Sequence, residues 1–229
     1  MYGKSSATPV KKGVRLKNHT TFRIGGKAEL FAVARDASDI VNLNREYSAL
    51  CPITYLGRGS NVLVADKGVK GLVVLVRTEK TEFSENSCIA EAGVPLCSLS
   101  SAFTDRSLGG LEFACCIPGS LGGALKMNAG AHGRCMADAV EWVEILRGGE
   151  VVRLKYDECG FAYRTSGFSE NDVILRASLK TTQADKYDLQ ATVGKYKAFR
   201  REHQPTGFSA GSVFKAADRP AGYYIDAAG

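Results

Sequence analysis

Chemistry is concentrated in a few short stretches of this chain. Phe161-Ala-Tyr-Arg-Thr-Ser-Gly167 sets one arginine, Arg164, among aromatic and hydroxyl side chains. A guanidinium so placed can hold a carboxylate through a planar two-pronged contact. A surface arginine lying over Tyr163 explains the same residues equally well. Ser209-Ala-Gly-Ser-Val-Phe-Lys215 places the hydroxyl of Ser212 after a glycine, with Lys215 nearby as an anion partner. Read from its residues alone, this stretch is more simply a turn into a strand.

Leu56-Gly-Arg-Gly-Ser-Asn-Val-Leu-Val64 is a glycine turn between two apolar runs. Gly57 and Gly59 would let backbone N–H groups face an anion such as a diphosphate, and Ser60 and Asn61 add donors. A strand connection needing positive φ is the plainer alternative. GRGSNVL lacks the third glycine of the dinucleotide fingerprint, and a strand-like run follows it where that fingerprint has a helix.

The densest stretch is Leu111 to Gly133, LEFACCIPGSLGGALKMNAGAHG. Its small residues supply no broad hydrophobic face. Ile117-Pro-Gly-Ser-Leu-Gly-Gly123 and Met127-Asn-Ala-Gly-Ala131 instead read as backbone that approaches something closely, since glycine removes the Cβ that would intervene. A flavin ring or pyrophosphate lying there would account for both turns.

Apolar patterning gives the elements that must hold these stretches. Strands are expected at Ala28–Ala34, Pro52–Gly57, Val62–Val64 and Leu72–Val76, with a helix from Asp36 or Ser38 to about Leu50. This order is an α/β signature. A second block adds a strand at Ser87–Ala92, a helix over Pro95–Ser107 and paired strands at Ala139–Leu146 and Val151–Leu154 around Gly148-Gly149. A further strand is expected at Asp172–Lys180, which makes the block α+β. A basic helix at Asp188–His203 and a second at Ala221–Ala228 close the chain. Met1–Leu16, polar and basic, reads as a loose arm.

The 229 residues, 45% hydrophobic and 24% charged, describe an ordinary globular chain. A formal charge of +6 suits anionic small molecules, and no dense basic run interleaved with aromatics supports nucleic acid. The seven cysteines have no CxxC or Cys/His metal spacing, and His19, His132 and His203 share none either. Reduced thiols, several of them buried, and no metal site are expected. No signal-peptide h-region or membrane-length apolar run is present, so a cytoplasmic protein is expected.

In order and content, NHTTFRIGG, LGRGSNVLVAD, GLEFACCIPGSLGGALKMNAGAHG, FAYRTSGF and RREHQPTGFSAGSVFK resemble the UDP-N-acetylenolpyruvoylglucosamine reductases, also called UDP-N-acetylmuramate dehydrogenases, of the shorter type. The resemblance implies an α+β FAD-binding fold of the vanillyl-alcohol-oxidase and p-cresol-methylhydroxylase type, with two subdomains at 18–78 and 79–185. An arm at 1–17 would precede them, and 186–229 would begin a substrate-binding domain. It further implies non-covalent FAD, NADPH as co-substrate, a UDP-sugar substrate and no obligate protein partner.

By motif match, Gly57, Arg58, Gly59, Ser60 and Asn61, and Ile117, Pro118, Gly119, Ser120, Gly122 and Gly123, would contact FAD, with Asn128, Ala129 and Gly130 close by. Arg164 would stabilise the enolate-like charge that builds when flavin N5 gives hydride to the enolpyruvyl ether, and Ser212 would deliver the proton. Tyr163, Lys215 and Gln204 would face the UDP-sugar.

The chain departs from the family pattern in several places. Ala216-Ala217 replace Asn-Pro after GSxFK, and Cys116 replaces a glycine before IPG. The family domain continues past YYIDAAG and carries a catalytic glutamate that neither Glu202 nor Asp226 matches in motif context. Flavin binding with weak or absent enolpyruvyl reduction is therefore expected if the protein truly stops at Gly229, and full activity of the parent if the sequence is a fragment. The competing expectations are a non-catalytic flavin or nucleotide binder, and an FAD oxidase with His19 as flavin anchor.

Overall fold

The computed structural model describes residues 8–215, 218–219 and 221–229. β1 (Val10–Arg15) pairs antiparallel with β2 (Lys27–Ala34), and Leu16 behind it is 1% exposed. The expected loose arm is thus a strand from Val10 onward. Only Val10 and Val14 of its six residues are even partly buried, so a lysine-bearing edge strand looks like a polar tail in sequence.

α1 (Ala37–Tyr47) is capped by Asp36, whose carboxylate accepts the Asp39 N–H at 2.9 Å, and it buries Ile40, Val41 and Leu43. β3 (Ile53–Leu56) and β4 (Val69–Val76) complete a sheet ordered β1-β2-β4-β3, parallel across its last three strands. The expected strand at Val62–Val64 is irregular backbone. Val62 and Val64 pack on the small cluster around Leu16, Leu56 and Leu75 while Leu63 points outward, which imitates strand alternation without a pairing partner.

The second block opens with β5 (Thr81–Phe83), β6 (Ser87–Glu91), α2 (Leu96–Asp105) and β7 (Leu108–Gly109). It continues with α3 (Leu121–Lys126) and a hairpin of β8 (Gly130–Ala131) and β9 (Arg134–Cys135). β10 (Val140–Arg147), β11 (Glu150–Lys155) and β12 (Val173–Lys180) follow, then β13 (Thr182–Gln183), which pairs with β7. The antiparallel sheet runs β11-β10-β12-β6-β5. Leu96, Leu99 and Phe103 of α2 are buried, as their spacing predicts.

One apolar cluster joins both sheets, from Ile40 and Val74 to Leu99, Leu125, Ile145 and Leu175. Loops projecting from the two sheets are therefore held by a shared core. α4 (Lys186–His203) buries only Leu189, is capped by Asp185, and stacks Tyr196 on His132 of the β8–β9 turn at 3.8 Å. α5 (Ala221–Ala228) buries none of its side chains among the described residues. Among the described residues no helix is long and apolar enough to cross a membrane, and no cluster of three or more metal-ligating groups occurs.

Candidate functional site

The two glycine stretches meet. β3 ends at Leu56 and the chain turns through Gly57–Asn61; Ile117–Ser120 turns into α3. Ser60 Oγ donates to the Pro118 carbonyl at 3.0 Å. A Cβ on Gly57 would overlap Ser120 Oγ, and one on Gly119, where φ is +127°, would stand 2.9 Å from Ser60 Oγ. The positive φ of Gly119 calls for glycine there, while a Cβ at Gly57 would force the Ser120 hydroxyl to turn away. Gly59 rests on the His19 carbonyl, and its own carbonyl accepts the Thr21 N–H at 3.0 Å. Arg77 grips the first loop from below, donating Nη1 to the carbonyls of Gly57 at 3.0 Å and Val76 at 2.7 Å.

This packing leaves donors unspent. Among the described residues, the N–H groups of Arg58, Gly59, Ser60, Asn61, Gly119 and Ser120 reach no protein acceptor. Ser120 is 2% exposed, and its hydroxyl at the start of α3 makes no capping bond. Most of these groups border solvent, which leaves them available to a ligand. Arg58 and Arg77 add positive charge; Arg58 lies 3.7 Å from Glu79. Burial, then Arg58, lowers the proton affinity of Arg77, with Glu79 opposing; an arginine stays charged regardless. Burial and then Arg77 also depress the His19 pKa, so the imidazole under this loop favours its neutral form. The arrangement suits a diphosphate: neighbouring backbone donors, the Ser120 hydroxyl and two arginines.

Several other members of the expected set have their donors committed inside the protein. The Gly122 N–H donates to the Ala92 carbonyl at 2.8 Å, and a Cβ there would stand 2.9 Å from Ala92 Cβ, so α3 packing on the end of β6 demands this glycine. Ile117 donates to Ala114 and Ala129 to Ala124. Gly123 leaves ordinary contact distance to Ser120 Oγ, and Gly130 pairs with Cys135. Asn128, 5% exposed, donates Nδ2 to the Ala162 carbonyl at 3.0 Å and accepts the Ala137 N–H at 3.0 Å. Its amide ties this motif to the arginine loop.

That loop turns at Tyr163-Arg164, closed by reciprocal bonds between Ala162 and Thr165 of 3.1 and 3.2 Å. Arg164 has φ of +56°, a left-handed conformation costing roughly 1–2 kcal/mol for a residue with a Cβ. Its guanidinium is 5.5 Å from the Tyr163 ring centre, and Tyr163 is exposed. Ser212 and Lys215 are exposed, as is Gln204, which ends α4. The backbone just before Ser212 is anchored at the Gly57–Asn61 loop: Thr21 Oγ1 donates to the Ser209 carbonyl at 2.6 Å, and a Cβ on Gly211 would lie 3.6 Å from the Ser60 carbonyl. Ala216-Ala217 lie outside the described residues. Sequence reasoning missed Arg77 and Lys126. A charged residue closing the apolar run of β4 was the available signal for the first.

Comparison with known proteins fits this geometry. A family model described as an FAD binding domain matches residues 28–155. A UDP-N-acetylenolpyruvoylglucosamine reductase of Heliobacterium modesticaldum is 38% identical over 87% of this chain and 65% of its own length. The one of Caldanaerobacter subterraneus is also 38% identical, over 91% of this chain and 70% of its own length. The chain thus spans about two thirds of the length of these relatives. The crystal structure of the corresponding reductase from Thermus caldophilus superposes with a TM-score of 0.86 at 31% identity, covering 96% of this chain and 80% of that one. A solvent-stable cholesterol oxidase, at 14% identity and a TM-score of 0.56, shares the fold. With its paired glycine loops inside a matched FAD-binding domain, the chain belongs to the UDP-N-acetylenolpyruvoylglucosamine reductase family.

Proposed function

We propose that this chain carries the flavin site of an NADPH-dependent reductase that converts the enolpyruvyl ether of UDP-N-acetylglucosamine to UDP-N-acetylmuramate, a cytoplasmic step of peptidoglycan precursor synthesis. The observation that carries the reading is the Ser60–Pro118 junction, which sets the unspent donors of Arg58–Asn61 and Gly119–Ser120 beside two arginines. These residues fit FAD: the N–H groups and the Ser120 hydroxyl would hold its diphosphate. Bound FAD supplies hydride transfer between NADPH and the substrate carbon.

The protein's own part is electrostatic and positional. Arg164 would hold the enolpyruvyl carboxylate and stabilise the negative charge that develops beside it. Ser212, on a segment anchored against Ser60, would deliver a proton to the carbanionic carbon, whose strong basicity tolerates a weak acid. Tyr163, Lys215 and Gln204 would face the UDP-sugar.

The test is anaerobic: FAD-loaded protein is bleached with NADPH and then mixed with UDP-N-acetylglucosamine enolpyruvate. Return of the oxidised flavin spectrum is expected. An Arg164→Met variant should keep the bleaching step and slow the return by about 100-fold, the scale of losing one oxyanion-stabilising group. Bleached flavin that ignores the enolpyruvyl ether would overturn the reading.

A further inference from the structure

Lys126 is the last residue of α3 and lies between the flavin loop and the arginine loop, yet the chemistry assigned to Arg164 and Ser212 leaves it no task. Its ammonium goes to carbonyls: Nζ donates to Phe168 at 2.9 Å and to Ser169 at 2.6 Å. The contact is reciprocated. Ser166 Oγ donates to the Lys126 carbonyl at 2.7 Å, and two residues on, Asn128 Nδ2 holds the Ala162 carbonyl at 3.0 Å. The end of α3 therefore grips the 162–169 segment on both flanks of Tyr163-Arg164.

The far side of the grip is itself fixed. Phe168 is 5% exposed and packs edge-on against Phe161, while the Gly167 N–H closes onto the Cys159 carbonyl at 2.8 Å. Asp172 accepts the Ser169 N–H at 2.7 Å and a two-pronged contact from Arg147. A lysine placed only for solubility would leave its long side chain free, since fixing it costs rotamer entropy. Two charge-assisted bonds to adjacent carbonyls, at a helix C-terminus that favours a cation, outweigh that cost. The strained φ of Arg164 gives the grip a purpose, because such a conformation persists only where the surroundings over-determine it.

We propose that Lys126 is a positioning residue: through the Phe168 and Ser169 carbonyls it locks the loop that presents Arg164, so that α3 couples the flavin cradle at its start to the carboxylate-binding arginine beyond its end. The proposal rests on the carboxylate-binding role proposed for Arg164.

The test compares Lys126→Met, which keeps length and loses the charge, with Lys126→Arg, which restores donors. Amide hydrogen exchange across residues 162–169 reads the lock without any substrate. A flavin difference spectrum, on titrating FAD-loaded protein with UDP-N-acetylglucosamine enolpyruvate, reads the presentation of Arg164. In Lys126→Met, exchange at Thr165 and Gly167 should quicken and substrate Kd should rise, each by about tenfold, the scale of losing a charge-assisted bond. FAD Kd should stay within about twofold, and Lys126→Arg should recover most of both effects. Unchanged exchange, unchanged substrate affinity beside faster exchange, or equal weakening of FAD and substrate would each overturn the proposal. A parent protein that binds FAD but shows no substrate response defeats the function assigned to Arg164, and with it the purpose of the Lys126 grip. In that case the exchange result still decides whether the lock exists.

Discussion

Single side chains set the shape of the cradle. Gly57 touches Ser120 closely enough that a methyl group on the first would displace the Ser120 hydroxyl. Gly57→Ala should therefore remove that donor from the cradle and weaken FAD binding by about tenfold, the scale of losing a charge-assisted contact, as followed by quenching of flavin fluorescence. Arg77→Ala should act in the same direction, because the Gly57 carbonyl loses the donor that aims it. Asp172 makes a pH prediction at the same scale. Arg147, and then the Ser169 N–H and hydroxyl, hold its carboxyl at about 2 against the desolvation that would raise it, below an ordinary value of 3.8. A carboxyl depressed in the folded state contributes stability that is complete above its unfolded value and is lost as pH falls through the folded one. Thermal melts should therefore lose a component between about pH 4 and pH 2 that Asp172→Asn lacks.

At the scale of elements, α3 is the short rod between cofactor loop and arginine loop, and its seat on β6 depends on Gly122. Gly122→Val should drive Cβ into Ala92 and destabilise the fold by about 1–3 kcal/mol, the usual cost of overpacking, seen as a lowered Tm. How legible each element was in the sequence follows from how it is buried. β4 and β12 are almost wholly buried, so their apolar runs announce them. β1 was hidden because one face is solvated and carries lysines. Val62–Val64 looked like a strand because its side chains alternate, although only backbone pairing makes one. The candidate site was legible as motifs, since glycine, serine and arginine at fixed spacing carry chemistry. The junction between motifs was not. Nothing in GRGSN and IPGSLGG says that Ser60 bonds Pro118, or that Lys126 reaches Ser169, because both are long-range contacts.

For the molecule as a whole, one core under two sheets explains why loops distant in sequence can share a ligand. That core also accounts for the thiols. Burial pushes Cys88 and Cys115 up to about 12 and Cys159 up to about 11. These stay protonated at neutral pH and unreactive. The native chain should yield Cys51, Cys116 and Cys135, which are partly exposed, to a disulfide reagent at pH 8 first, with Cys97, equally exposed but bonded to the Ile117 carbonyl and pushed up by burial, following more slowly. Cys88, Cys115 and Cys159 should react only on unfolding, as read by mass spectrometry of labelled peptides.

The central claim is that the meeting of two glycine loops makes a non-covalent FAD site, and the visible absorption of the FAD-loaded, desalted chain tests it most directly. The expected result is a yellow protein that releases its flavin on denaturation, beside a Gly57→Val variant that folds but comes off the column colourless. A folded parent chain that stays colourless after incubation with FAD, or a Gly57→Val variant that holds the flavin as tightly as the parent, would contradict it.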